Sequence, residues 1–279
     1  MTGTDLPVRL LALDLDGTLV GRDLVIRPRV VRAVRAAVES GVVVTIATGR
    51  MYRSSLPFAK ALGVVAPIIC YQGAYVRELP ASDGAPGAVL LHRTMPGGVA
   101  VEAIAWARAR GFDPHVNVED RLIMQAGEAT SEDYERRSGI GAEFVPDLPR
   151  AIRGPVTKVL AVGLPPLPET SLPEARAAFE GRAQVTVSHP SYLEWNAPGV
   201  TKGGAVRWLA GRLGIPLGQV MAIGDQYNDA EMLAEVGHGV AMGGSPEPVR
   251  AAARHVTASI EEDGAALAIE AIVLGRRAA

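Results

Sequence analysis

An excess of charge of either sign is missing from this sequence. Its 28 Lys and Arg stand against 30 Asp and Glu, a formal charge of -2, so there is no broad electrostatic footprint for nucleic acid or an anionic membrane surface. An anionic ligand must therefore be captured locally. No apolar run approaches the roughly 18 residues of a membrane span, and residues 1–10 lack the charged, apolar and cleavage regions of a signal peptide. The expected compartment is the cytoplasm. Cysteine is limited to Cys70, which excludes intrachain disulfides, and its place in an apolar stretch reads as a buried, inert thiol. Internal repeats, low-complexity tracts and the G-x-x-x-x-G-K-[ST] signature of a nucleotide-binding P-loop are missing too. What is present is apolar material: 48% hydrophobic and 21% charged residues over 279 positions describe a globular protein of one large or two modest domains.

The short apolar run over residues 10–13 ends in Asp14, Asp16 and Gly17, which reads as a buried strand delivering acids to its C-terminal tip. A helix follows, with Pro28 suited to its first turn, Val30, Val31, Val34, Ala37 and Val38 at helical spacing, and Gly41 at its end. Residues 42–47 read as a second buried strand ending at Thr48-Gly49-Arg50, and residues 65–71 as a third ending near Gln72-Gly73. Strand and helix alternate, which implies parallel pairing with right-handed crossovers. The pattern resumes with a strand over 220–223 that ends in Gly224-Asp225, a helix over 230–236 and a strand over 239–242. The expected fold is thus an α/β protein with a doubly wound, Rossmann-like parallel sheet built from residues 1–84 and 189–279. Residues 85–188 differ in character, with strand-like segments at 89–91, 122–124, 156–162 and 185–187 and helix-like segments at 99–110 and 173–180. They read as an inserted α+β domain. The turn-rich residues 82–87 are its expected hinge, and the Pro-rich residues 164–172 an expected loop.

Asp14 and Asp16 sit two apart at a strand end, so on an extended chain their side chains share one side, about 6 to 7 Å apart. Paired carboxylates in one place call for a cation, and an oxygen-only site suits Mg²⁺ better than zinc or copper. A simple Asp-Gly turn would produce the same pair. The second acidic cluster, Gly224-Asp225-Gln226-Tyr227-Asn228-Asp229, lies at another strand tip, and ligands of open parallel sheets gather beyond the carboxyl ends of the strands. Thr48 offers a hydroxyl at a strand tip, and Gly49 lets the backbone approach an anion. Lys202 precedes the apolar-periodic Val206, Leu209 and Leu213, which places it near a helix start, where an anion is favoured.

Together these segments resemble the haloacid dehalogenase superfamily, whose D-x-D-G-T-L motif stands here as Asp14-Leu15-Asp16-Gly17-Thr18-Leu19. Its later motifs match Thr48, Lys202 and the segment Gly224-Asp225 to Asn228-Asp229. The insert is similar to the larger cap of the Cof-type sugar-phosphatase branch, and the likeness spans essentially the whole chain. Two segments depart from the pattern: Gln72-Gly73-Ala74 stands where relatives commonly have Asn-Gly-Ala, and Met242-Gly243-Gly244-Ser245 where they have Met-Gly-Asn-Ala.

The resemblance implies a phosphatase in which Asp14 attacks phosphorus and Asp16 serves as general acid and then base. It further implies that Mg²⁺ is held by Asp14, the Asp16 carbonyl and Asp225, that Thr48 and Lys202 hold the phosphoryl oxygens, with Gly17, Gly49 and Arg50 beside them, and that Asn228 and Asp229 give support. Arg50 fits a substrate contact and a structural ion pair equally. The implied partner is a small phosphorylated metabolite, with neither nucleic acid nor membrane involved; a phosphomutase and a non-enzymatic phosphoacceptor are the rival readings. His115, Asn117 and Arg121 in the insert, and His189 and Trp195 near its end, are candidate contacts that sequence does not separate from ordinary polar or core positions. Oligomeric state is not legible.

Overall fold

The computed structural model describes residues 7–21, 23–127 and 131–276; residues 1–6 of the stretch read above for a leader lie outside that set. Fourteen strands are present among the described residues. In chain order they are β1 (Leu10–Leu13), β2 (Val43–Ile46), β3 (Ile68–Cys70), β4 (Tyr75–Arg77), β5 (Val89–His92), β6 (Asp113–Val118), β7 (Arg121–Gln125), β8 (Glu143–Val145), β9 (Lys158–Val162), β10 (Gln184–His189), β11 (Tyr192–Asn196), β12 (Val220–Gly224), β13 (His238–Ala241) and β14 (His255–Val256). The helices that matter here are α1 (Pro28–Glu39), α2 (Tyr52–Leu62), α3 (Gly97–Arg108), α4 (Ser131–Ser138), α5 (Leu148–Ala151), α6 (Leu167–Ala178), α7 (Lys202–Arg212) and α8 (Ala230–Glu235).

The central sheet has the order β14-β13-β12-β1-β2, all parallel. β1 and β12 are buried along their whole length, which explains why both read as unbroken apolar runs. Alternation along β1 divides the core. Leu11 and Leu13 join Val30, Val34 and Leu62 of α1 and α2 on one face, while Leu10 and Ala12 join Val206, Leu209 and Met232 of α7 and α8 on the other. From β1 the chain first builds outward through β2, then returns to lay β12 on the opposite side. That reversal opens a crevice beyond the ends of β1 and β12, where such sheets bind their ligands.

The third strand is shorter than expected. Pro67 cannot donate to a ladder, Val65 is exposed, and β3 starts only at Ile68. It meets the central sheet through one parallel bridge, Ala47 to Ile69, and then turns antiparallel into β4 and β5. The expected hinge at residues 82–87 is therefore the loop of the β4–β5 hairpin, closed by Ala81 N–H donating to the Ala85 carbonyl at 2.9 Å.

The insert is a six-stranded sheet of order β10-β11-β9-β6-β7-β8, with α3 and α6 packed on one face through Ile104, Ala107, Ala175, Val116 and Trp195. α6 begins inside the Pro-rich stretch expected as a loop, because Pro168 falls in its first turn, where a missing N–H costs nothing. Sheet membership also moves both expected boundaries later: β5 pairs with β4, whereas β11, beyond residue 188, pairs with β10 and β9. The registers Asn117↔Lys158, His115↔Leu160 and Glu194↔Leu160 put those side chains on the sheet face away from α3 and α6, and that face rests on the core. No helix among the described residues is long and apolar enough to cross a membrane.

Candidate active site

β1 stops at Leu13, and the next residue carries the site. Asp14 donates its N–H to Ile223 O of β12 at 3.0 Å and is buried, so its carboxylate lies at the reversal point of the sheet. α7 brings Lys202 to meet it. The helix opens at Lys202 because Thr201 caps it, its Oγ1 accepting from Gly204 N at 3.0 Å. From there Lys202 Nζ donates to Asp14 Oδ1 at 2.6 Å and to Asp229 Oδ1 at 2.7 Å, with all three side chains buried. The second oxygen of Asp229 accepts from Asp225 N at 3.0 Å and Gln226 N at 3.1 Å.

Asp225 completes the cluster. Thr18 Oγ1 donates to its Oδ1 at 3.2 Å and Gln226 Nε2 to its Oδ2 at 3.2 Å. Gly17 has to be glycine here: its φ is +84°, and a Cβ would fall 2.2 Å from Asp225 Oδ2. Burial raises the Asp14 carboxyl well above the usual range, Lys202 pulls the other way, and Asp229, Asp225 and Asp16 add to the rise. Asp225 is pushed up to about 7, first by burial and then by Asp229. Burial alone would lower Lys202, yet Asp14 and Asp229 hold it above the ordinary lysine range.

These shifts bear on the cation. Oxygens of Asp14, Asp225 and Asp229 lie within 4.8 Å of one another, a cluster that is single of its kind among the described residues. Three buried carboxylates face one ammonium, an imbalance that a divalent cation offsets, and an all-oxygen donor set suits Mg²⁺. The Asp16 carboxylate is not in this cluster. β1 ends at Leu13, and the pair expected side by side takes different partners. Asp16 is about half-exposed and receives the fork of Arg50, Nε to Oδ2 at 2.7 Å and Nη2 to Oδ1 at 2.6 Å. Arg50 thus makes an ion pair while lying over the Phe58 ring at 5.0 Å.

Thr48 is fully buried, pinned by its N–H donating to Ile69 O at 2.9 Å, and its Oγ1 accepts from Arg50 N at 3.2 Å. Gly49 permits close approach, since a Cβ there would lie 2.3 Å from Gln72 Nε2. Asn228 donates to Gln72 Oε1 at 2.9 Å. Among the insert candidates, His115 and Asn117 are fully buried with no side-chain hydrogen bond, and Tyr134 of α4 lies against the His115 ring at 4.7 Å. Arg121 is instead exposed and paired with Glu143 at 3.1 Å. His189 accepts from Ser191 N at 3.1 Å within the β10–β11 turn, and Trp195 packs between Trp106 and Phe179 in the insert core. Sequence reasoning missed Thr18 as the partner of Asp225. It also missed Lys158, a charged residue opening an apolar strand, which was the available signal.

The family model described as haloacid dehalogenase-like hydrolase matches residues 11–269. The HMP-PP phosphatase of Serratia proteamaculans is 31% identical over 84% of this chain and 84% of its own. The 5-amino-6-(5-phospho-D-ribitylamino)uracil phosphatase YitU of Bacillus subtilis is 27% identical over 92% of this chain and 94% of its own. Among solved structures, the HAD subclass IIB sugar phosphatase BT4131 superposes with a TM-score of 0.79 at 25% identity, covering 95% of this chain and 98% of that one.

Proposed function

The chain belongs to the haloacid dehalogenase-like hydrolase family, and from that premise we propose that it hydrolyses phosphomonoesters of small metabolites, with Asp14 as nucleophile. The observation that carries the reading is the buried centre in which Lys202 joins Asp14 to Asp229, with Asp225 in the same cluster. An Asp14 oxygen attacks phosphorus in line; the O–P bond to Asp14 forms as the bond to the leaving oxygen breaks. Asp16, at the mouth of the site, gives its proton to that leaving oxygen and then takes one from the water that attacks the aspartyl phosphate. The second step releases phosphate and regenerates Asp14. Lys202 and Thr48, with the Gly49 backbone, hold the phosphoryl oxygens. Arg50 offers an arriving phosphoryl group the guanidinium that it otherwise spends on Asp16.

Asp14, Asp225 and the Asp16 carbonyl would hold Mg²⁺, which when bound offsets the repulsion between carboxylate and phosphate dianion. Asp229 keeps Lys202 in place, and Asn228 supports the second acidic segment through Gln72. We assign the substrate-covering cap to residues 93–196, following sheet membership. A lid of this kind excludes bulk water from the reaction. On its core-facing side, His115 and Asn117 are the side chains we assign to the leaving group, because buried polar atoms ordinarily have partners. The name of the Bacillus relative supplies the precedent of a small phosphorylated metabolite as substrate.

The test is phosphate release from a panel of phosphorylated sugars, nucleotides and cofactors. Asp14→Asn is expected to lower turnover by about a thousandfold or more with folding intact, and chelation of Mg²⁺ to do likewise. Near-normal turnover in either case refutes the assignment, and an isomerised product in place of free phosphate would favour a mutase.

A further inference from the structure

Lys158 has no part in the chemistry above, yet among the described residues it is the cap's most deeply placed cation. It is 1% exposed, and an ammonium so buried requires close compensation. Glu194 on β11, equally buried, supplies the charge at 3.3 Å. The nearer contact, however, crosses to the core: Lys158 Nζ donates to the Gly49 carbonyl at 2.8 Å. That carbonyl belongs to the peptide unit whose N–H, on Arg50, donates to Thr48 Oγ1 at 3.2 Å. One peptide plane is thus held at both ends, by the cap on one side and by the phosphate-binding threonine on the other. A hydroxyl has one proton to give and accepts at its lone pairs. With Arg50 N filling an acceptor position, the Thr48 proton is left to donate into the site. Gly49, lacking Cβ, would not hold that plane by itself.

Glu194 is anchored in turn. Ser188 Oγ donates to its Oε1 at 2.7 Å, and Gln72 Nε2 to its Oε2 at 3.0 Å. Gln72 also accepts from Asn228 at 2.9 Å. The glutamine that departs from the family pattern therefore bridges a core residue of the acidic segment to the cap's buried ion pair.

We infer that Lys158, held by Glu194, is a positioning residue: it fixes the Gly49–Arg50 peptide and through it the Thr48 hydroxyl, so that the phosphoryl cradle is complete only with the cap seated. This rests on the phosphatase reading for the cradle's purpose. The decisive variant is the double Lys158→Met, Glu194→Gln. It removes both buried charges together, which spares the fold the cost of one left unpaired, and the new amide can accept from Gln72 through its oxygen while its NH2 donates to the Ser188 hydroxyl. It is compared with wild type and with Lys158→Arg, by thermal melting, by kcat and KM on p-nitrophenyl phosphate, and by calorimetric binding of orthovanadate in magnesium buffer. The double variant should melt close to wild type while kcat falls by about a hundredfold with KM within about threefold. Orthovanadate binding should weaken by about tenfold, and Lys158→Arg should recover most of the lost kcat. A double variant that melts like wild type and matches it in kcat and orthovanadate binding shows that the Gly49–Arg50 peptide is held without Lys158 and overturns the inference. Wild type that binds orthovanadate but hydrolyses no phosphoester would sink the phosphatase reading instead, and the calorimetric comparison still decides the role of Lys158.

Discussion

At the scale of single residues, the site depends on what a side chain would obstruct as much as on what it supplies. Gly17→Ala puts a Cβ within 2.2 Å of an Asp225 oxygen at a φ of +84°. The variant should keep its overall fold but need a much higher Mg²⁺ concentration for activity, about tenfold or more; an Mg²⁺ titration of initial rate checks this. His115 makes a separate prediction. Burial pushes its pKa down to about 3, against about 6.5 in the unfolded chain. Between those values the unfolded state takes up a proton that the folded state refuses, so stability contributed by the neutral ring is present above pH about 6.5 and is lost as pH falls toward 3. The slope approaches about 1.4 kcal/mol per pH unit. Other groups titrate in the same window, so the measurement is a difference: wild type should lose more stability on acidification from pH 7 to 4.5 than His115→Leu, read by chemical denaturation at each pH.

At the scale of elements, α2 shows how far core and cap depend on each other. Its N-cap residue, Met51, provides no side-chain cap. The cap instead sends Asp120, on the turn between β6 and β7, to accept from Tyr52 N at 2.9 Å, Arg53 N at 3.1 Å and Tyr71 Oη at 2.7 Å. Both turn residues, Glu119 and Asp120, have positive φ without being glycine, a conformation that persists only where surrounding bonds demand it. Asp120→Ala should destabilise the protein by roughly 1–3 kcal/mol, and hydrogen exchange should report faster loss of protection at the first α2 amides. Unchanged protection there would mean that water replaces the lost acceptor.

These cases also show what the sequence could and could not reveal. The acids after β1 and β12 were legible because apolar runs mark buried parallel strands and glycines mark their ends. Lys202 was legible as a helix start. The Arg50–Asp16 fork was not, since an ion pair and a phosphate contact leave the same residue in the same place. Asp120 and Lys158 were missed for another reason: their partners lie 68 and 109 positions away, and no periodicity encodes a contact between domains. The hinge expected at residues 82–87 is a hairpin loop, because turn composition marks a hairpin as readily as a hinge and only pairing tells them apart.

At the scale of the whole molecule, one interior strand of the core sheet is an early segment whose second neighbour is made late. β1 finds β2 within the first fifty residues, but its other edge pairs with β12, starting at Leu10 and Val220. On a ribosome, that edge emerges long before its partner and stands open while the entire cap is synthesised. The cap can complete its own sheet in that interval; the catalytic half cannot. A nascent chain stalled ahead of Val220 would therefore present an apolar strand edge with nothing of its own to cover it, a natural substrate for chaperones and a hazard for self-association.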